Sequence, residues 1–193
     1  MLAKRRQMDP HDRESVADSA AKILLAHSLF EKSQHIACYF STEEEFDTAP
    51  IIRDILQAQK RCYLPVLLPE KSLCFSAFKR GDELKLNRYS ILEPVNSDVF
   101  PAEKLDLVLL PLVAFDLEGR RLGMGGGYYD RTFSFKKTSQ KQGPFLLGIG
   151  FEDQRVESLS SDIWDVNLDG VLTGHRLIIL NRHTLLAGPK YEN

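Results

Sequence analysis

Apolar positions at helical spacing open the chain, where Val16, Ala20, Ile23 and Leu24, with His27 in register, line one face of an otherwise polar segment. Asp9 stands before it as an N-cap, Pro10 at the first helical position and Asp12 in the first turn. The pattern predicts an amphipathic helix over about residues 10–30. The short apolar run from His35 to Phe40 reads as a buried strand. Asp47 then N-caps a second helix through Gln59, whose apolar face is Ile51, Ile52, Ile55 and Leu56.

Arg61 to Leu67 is the next strand. Strand, helix and strand within about 35 residues make a right-handed βαβ unit, so a parallel sheet is expected. Leu73 to Phe78 adds a strand, and Lys79 to Lys104 is a polar stretch with turn signals that reads as a flap or a rim. Leu105 to Leu110 is the most apolar strand candidate, and it leads through Pro111 and Ala114-Phe115-Asp116 into a glycine-rich segment. Leu146 to Phe151 and Leu177 to Leu180 supply two further strands. Neither an internal repeat nor an interdomain linker interrupts this alternation, so the chain reads as a single α/β domain over residues 1–193.

Composition narrows the function classes. A net charge of -2 and a pI near 6.2 provide no basic field for a nucleic-acid backbone, so no nucleic-acid partner is expected. The apolar run from Leu107 to Phe115 is interrupted by Pro111, and it falls short of the roughly 20 residues that a membrane-spanning helix needs. Charged residues without an apolar segment precede Asp9-Pro10, which leaves the cytoplasm as the expected compartment. Cys38, Cys62 and Cys74 are widely spaced and lie inside apolar stretches, so they read as reduced core residues.

The segment Arg121-Leu122-Gly123-Met124-Gly125-Gly126-Gly127-Tyr128-Tyr129-Asp130 holds the candidate chemistry. Its glycines remove the Cβ atoms that block left-handed backbone angles and the close approach of a ligand, so N–H groups can converge on an anion. A helix starting at Tyr128 would add its positive end, and Arg120, Arg121 and Arg131 bracket the loop with charge suited to phosphate oxygens. Asp130 offers the hard oxygen that magnesium prefers. No Gly-Lys-Ser/Thr follows, and Tyr128 stands where the dinucleotide fingerprint needs its last glycine. A structural turn between strand and helix is the competing account.

Elsewhere, Glu43-Glu44-Glu45 follows a strand end, where open α/β sheets bind ligands, although such a run is more often a solvated rim. Asp165 beside Trp164 suits a cap or turn, and Tyr89 and Glu93-Pro94 are equally open to either reading. His175 is an isolated histidine, and Lys4-Arg5-Arg6 is a basic tail.

Several of these motifs coincide with one family. The run Leu110 to Asp116, then Gly119, then Arg121 to Arg131, resembles 5-formyltetrahydrofolate cyclo-ligase, also called 5,10-methenyltetrahydrofolate synthetase. Tyr39-Phe40-Ser41 before Glu45 to Thr48, Tyr63-Leu64-Pro65, Glu93-Pro94, and Trp164-Asp165 before Leu168-Asp169 agree in order and spacing. The resemblance runs from about Lys4 to Arg176, loosely across residues 66 to 104.

It implies a three-layer α/β/α fold with a mostly parallel sheet, NagB/RpiA/CoA-transferase-like, acting as a monomer. It also implies ATP-dependent cyclisation of 5-formyltetrahydrofolate to 5,10-methenyltetrahydrofolate with magnesium. The binding class that competes with this is a non-catalytic folate or nucleotide binder on the same fold. By motif, Lys4, Arg6, Arg121, Leu122, Gly123, Met124, Gly125, Gly126, Gly127, Tyr128 and Tyr129 would line ATP. Arg121, Gly125, Gly126, Gly127 and Tyr128 would surround the reacting groups; Phe40, Glu45, Tyr89, Met124 and Tyr128 would hold the folate. Asp130 and Asp165 are the implied magnesium ligands.

Overall fold

The computed structural model describes residues 10–43, 45–95, 98–138 and 143–180. Helix α1 (Pro10–Leu25) and the short α2 (Ser28–Lys32) precede β1 (His35–Ala37), α3 (Ala49–Gln57), β2 (Arg61–Leu67) and β3 (Leu73–Phe78). A hairpin of β4 (Leu84–Leu86) and β5 (Leu92–Pro94) follows, then β6 (Val99–Phe100) and β7 (Leu107–Pro111). A second hairpin, β8 (Ala114–Phe115) with β9 (Arg121–Leu122), leads to α4 (Tyr128–Phe133) and α5 (Phe135–Thr138). The described chain ends with β10 (Phe145–Ile149), β11 (Gly170–Leu172) and β12 (Leu177–Ile179).

Eight strands form one sheet in the order β12-β11-β10-β7-β1-β2-β3-β6. The central block from β11 to β2 is parallel, and β12, β3 and β6 join it antiparallel at the flanks. This is the mostly parallel sheet that the βαβ pattern called for. Because side chains alternate across a strand, each strand feeds two cores. Ile36, Leu107, Leu109, Leu147 and Ile149 face α1, α2 and α3. Ala37, Val108, Leu110, Leu146 and Val171 face the opposite side with Phe133 of α4 and the segment around Leu168. Small residues Ala17, Ala20 and Ala21 let α1 lie close on its core. Four consecutive residues of β7, Leu107 to Leu110, are at most 1% exposed, each contributing about 1.5–3 kcal/mol of burial.

Local chemistry moves several boundaries away from the periodic pattern. The first helix stops at Leu25 instead of near residue 30, because His27 takes an extended backbone and caps α2, its Nδ1 accepting from the Leu29 N–H at 3.0 Å. The strand expected to reach Phe40 keeps its ladder only to Ala37, with one further bond from the Cys38 N–H to the Tyr63 carbonyl at 2.9 Å. Asp47 acts one position early: α3 begins at Ala49, whose N–H donates to Asp47 Oδ1 at 2.9 Å. Leu105 and Asp106 precede β7, since the Asp106 carboxylate accepts the N–H groups of Gln34 and His35, both at 2.8 Å. The β11 strand was not anticipated, because its three residues are too few to show an alternation. In the structure Asp169 accepts Lys136 Nζ at 2.7 Å and the Leu146 N–H at 2.8 Å, which sets β11 beside β10.

The polar stretch 79–104 contains the β4–β5 hairpin, a projecting flap, followed by the edge strand β6. Cys38 and Cys62 are buried free thiols, and burial pushes the Cys38 thiol up to about 12, so they are the inert core residues expected. Cys74 is also free but only half buried. Among the described residues no helix is long and apolar enough to cross a membrane. Asp9, Lys4 and Arg6 lie outside the described residues.

One buried carboxylate closes the turn between β8 and β9. Asp116 accepts the N–H groups of Glu118, Arg120 and Leu159, each at 3.0 Å, and Arg120 Nε at 2.6 Å. Burial alone would push this carboxyl up; the Arg120 guanidinium and the backbone donors overcome it and hold the carboxyl below its ordinary value. A group depressed in the folded state contributes stability that is present above its unfolded value and lost as pH falls through the folded one. Asp116→Asn is therefore expected to lower stability by about 2 kcal/mol at pH 7. The loss relative to wild type should shrink as pH falls below about 4, and urea midpoints measured at pH 7 and pH 3 check it.

Candidate active site

The ends of β1 and β7 open at the same edge of the sheet, and the segments that leave them form the site. After β1 the chain passes through Phe40 to a turn at residues 42–45, where Glu45 Oε2 accepts the Thr42 N–H at 2.8 Å and its hydroxyl at 3.1 Å. Arg13 of α1 fixes this turn from below, donating to the carbonyls of Glu43 and Glu45, the latter at 2.8 Å. Phe40 is half-buried, with its ring edge-on to Phe78 at 5.5 Å.

After β9 comes the glycine loop. Gly125 and Gly127 have φ of +80° and +65°, in the left-handed region that L side chains avoid. Gly127 is the N-terminal flank of α4, and a Cβ there would lie 2.8 Å from Arg131 Nη1. Among the described residues, no other segment engages the backbone N–H groups of 123–127, so they remain open to a ligand. Helix α4 has only six residues, so its end adds little, and the anion affinity must come from the loop itself.

The flanking arginines do not point into the loop as the sequence suggested. Arg120 is held by Asp116, by Glu118 at 3.1 Å and by Ser158 at 3.1 Å. Arg121 is turned inward, pairing with Asp130 Oδ1 at 2.6 Å and donating to the Val166 carbonyl. Arg131 donates to the carbonyls of Gly126 at 2.7 Å and Lys71 at 3.4 Å. All three act as buckles on protein groups here, because a loop packed this tightly leaves internal acceptors that need donors.

The segment of Asp165 reaches Asp130 through the backbone of the next residue, the Val166 N–H donating to Asp130 Oδ1 at 3.1 Å. The Asp165 carboxylate closes its own turn, its Oδ2 accepting the Asp162 N–H at 2.8 Å, which is the turn role that the sequence favoured. Among the described residues no cluster of three or more metal-ligating side chains exists.

The aromatic residues complete the enclosure. Tyr129 is half-buried, and burial first, then the nearby Glu45 carboxylate, pushes its phenol well up. Its ring stacks on Phe133 at 6.4 Å, which seats the end of the glycine loop on the core. Tyr128 meets the hairpin tip: its hydroxyl lies 3.2 Å from that of Tyr89, and Arg88 donates to it. These hydrogen bonds, that of Tyr89 first, hold the Tyr128 phenol below its ordinary value, while that of Tyr89 is raised.

Glu45, Tyr89, Arg121, Tyr128, Tyr129, Asp130 and Asp165 are thus gathered at one edge, with Leu122 and Met124 exposed beside them. Glu44 lies outside the described residues. His175 is remote in role, its N–H donating to the Thr173 hydroxyl at 3.3 Å. Sequence reading missed Arg13 and Arg88, for which no motif exists. Only the position of Arg88 between turn residues and beside Tyr89 hinted at a projecting tip.

The model of the 5-formyltetrahydrofolate cyclo-ligase family matches residues 1–174. The chain belongs to this family. It is 37% identical over 174 residues to an Escherichia coli 5-formyltetrahydrofolate cyclo-ligase, covering 88% of this chain and 94% of that protein. A Haemophilus influenzae cyclo-ligase is 39% identical over 155 residues, covering 77% and 81% respectively. The solution structure of Aquifex aeolicus 5,10-methenyltetrahydrofolate synthetase superposes with a TM-score of 0.79 at 28% identity, across 100% of this chain and 92% of that one. The three-layer α/β architecture of the cyclo-ligase is therefore shared, and the matched region contains the glycine loop, the Glu45 turn and the Asp165 segment.

The loop geometry separates two glycines of this cyclo-ligase. Gly127→Ala forces an L side chain into the left-handed region and against Arg131, at a cost of about 1–2 kcal/mol. A melting point lower by about 2–6 °C is expected. At Gly123, which has no positive φ, a Cβ meets nothing within 4 Å, so Gly123→Ala should melt with wild type. Calorimetric scans of both variants check the difference.

Proposed function

We propose that this cyclo-ligase converts 5-formyltetrahydrofolate and ATP to 5,10-methenyltetrahydrofolate, ADP and phosphate. The observation that carries the reading is the glycine loop itself, with Gly125 and Gly127 in the left-handed region and its backbone N–H groups engaged by no other described segment, within a chain of this family. Because β1 and β7 are adjacent and parallel, the segments that follow them leave the same edge of the sheet, and that edge offers both an anion cradle and a carboxylate for ring N–H groups.

The formyl group on the folate nitrogen is an amide, whose resonance makes its carbon a poor electrophile and its oxygen a poor leaving group. Transfer of the terminal phosphoryl of ATP to that oxygen breaks the bond to ADP and forms a phosphate ester. Nitrogen 10 attacks the activated carbon and loses its proton; the carbon–oxygen bond then breaks, and phosphate leaves as the ring closes. No protein nucleophile is required. The work is positioning and charge neutralisation.

The backbone N–H groups of 123–127 are suited to the polyphosphate, with Leu122, Met124, Tyr128 and Tyr129 forming the walls. Lys4 and Arg6 are the proposed contributors from the basic N-terminal segment. Phe40 and Tyr89 would flank the pterin, and Glu45 would accept its N–H hydrogen bonds. Asp130 and Asp165 are the proposed magnesium ligands, and two carboxylates suit an ion that takes its remaining ligands from phosphates and water. Bound there, magnesium would neutralise phosphate charge. The reading extends to a single 1–193 domain working as a cytoplasmic monomer on small molecules.

Incubation with 5-formyltetrahydrofolate and magnesium-ATP should yield methenyl product, followed by its absorbance, with one ADP per turnover. Tight binding of both ligands without product would instead assign a non-catalytic binder. Arg121→Ala, by releasing Asp130 and with it the placement of the glycine loop, should reduce kcat by about 100-fold or more with little change in folate affinity, whereas Glu45→Gln should weaken folate binding more than ATP binding. Equal effects of either change on both ligands would break this division of labour. Asp130→Asn and Asp165→Asn should each raise the magnesium concentration needed for half-maximal rate; unchanged titrations in both would remove the metal assignment.

A further inference from the structure

The loop from Leu122 to Tyr128 carries no cationic side chain, and the arginines around it are engaged by protein acceptors. Arg88 is placed differently. It stands exposed at the tip of the β4–β5 hairpin, with its guanidinium 5.2 Å from the ring of Tyr89 and 5.9 Å from that of Tyr128. Its hydrogen-bond acceptor is the Tyr128 hydroxyl, at the loop's own end. Its hydrogen bond and both of its ring contacts are to tyrosines, and among the described residues it forms no ion pair with a carboxylate. A guanidinium carries five N–H donors in a planar fork matched to phosphate oxygens.

The hairpin holds this tip in place. Asn87 Oδ1 accepts the N–H groups of Tyr89 at 2.9 Å and Ile91 at 3.2 Å, which fixes the turn. The buried Glu93 carboxylate accepts Asn87 Nδ2 and the Leu67 N–H, both at 3.4 Å, and Lys85 lies 3.7 Å from its other oxygen. The tip is thereby tethered to the end of β2, and the Arg88 side chain extends from a braced turn towards the glycine loop.

We propose that Arg88 is a further catalytic residue of this chain: the cation that meets the phosphoryl group on the glycine loop while it passes from ATP to the formyl oxygen. The proposal rests on the cyclo-ligase reading. In this step the bond between the terminal phosphorus and its bridging oxygen breaks, its electron pair leaving with ADP, and a new phosphorus–oxygen bond forms to the formyl group. Arg88 gives and takes no proton. It exchanges the Tyr128 hydroxyl for phosphoryl oxygens and neutralises their charge, a contribution suited to positioned donors in phosphoryl transfer.

The test compares wild type, Arg88→Gln and Arg88→Lys by methenyl formation, by folate affinity without ATP, and by inhibition with inorganic phosphate. Arg88→Gln should lose about 100-fold in kcat, keep its folate affinity and become about tenfold less sensitive to phosphate. Arg88→Lys should recover part of both properties, because the charge returns without the fork. A Gln variant with wild-type kcat and wild-type phosphate inhibition would overturn the proposal. So would a loss confined to folate affinity that deepens with each added glutamate, since that would assign Arg88 to substrate carboxylates. Absence of methenyl product from wild type itself would instead remove the cyclo-ligase reading, which keeps the two failures apart. Melting curves identify any variant that fails to fold, and in that case the folded Arg88→Lys decides: wild-type kcat and phosphate inhibition in it overturn the proposal.

Discussion

The carboxylate oxygen Oδ1 of Asp130 is shared between the Arg121 guanidinium at 2.6 Å and the Val166 N–H at 3.1 Å, and the candidate site is assembled around it. Arg121 belongs to β9, Asp130 to α4, and Val166 to the segment that returns to β11. One anion therefore joins two elements nine residues apart to a third stretch 36 residues further along the chain. With Arg121 at 8% side-chain exposure and Asp130 at 22%, solvent screens the pair only partly, so it is worth more than a surface ion pair. The glycine loop spans the gap between the two partners. Its ends are pinned, and between Leu122 and Tyr128 it carries no side chain but that of Met124.

This arrangement explains why the arginines around the loop are engaged by protein acceptors. A loop of glycines contributes almost nothing to the core and loses much backbone entropy on ordering. Something must fix it, and Arg120, Arg121 and Arg131 do so through Asp116, Asp130 and the Gly126 carbonyl. Within the described residues the hairpin tip differs, since Arg88 meets tyrosines where the others meet acids or carbonyls.

Much of the scaffold was legible because hydrophobic alternation is local. Arg61 to Leu67 and Leu73 to Phe78 coincide with their strands, and the apolar run before Pro111 became the buried β7. Errors fell where a single side chain redirects the backbone. His27 ends one helix by capping another, and Asp169 sets a strand too short to show an alternation by binding Lys136 and the Leu146 N–H. The site was legible in its motifs and opaque in its contacts. Arg121 and Asp130 were both picked out, yet their bond to each other was not, because spacing shows proximity along the chain and not which way a guanidinium turns. Arg88 had no motif at all; its significance comes from a contact across 40 residues.

The long separation between hairpin tip and loop has a physical logic. A cation built into the loop would be paired within the fold before any ligand arrived, because an adjacent Asp130 or an internal carbonyl is always present, as Arg121 and Arg131 show. A cation brought from a separate, braced hairpin can rest on neutral aromatic faces, where it is attracted by about 0.5–1 kcal/mol at an exposed position and released at little cost. Tyr128 at the start of α4 and Tyr89 provide those faces, and Glu93 sets the hairpin that carries Arg88 and Tyr89. The charge is thus held close to the loop without being neutralised, which is the condition for binding an anion more strongly as its charge develops.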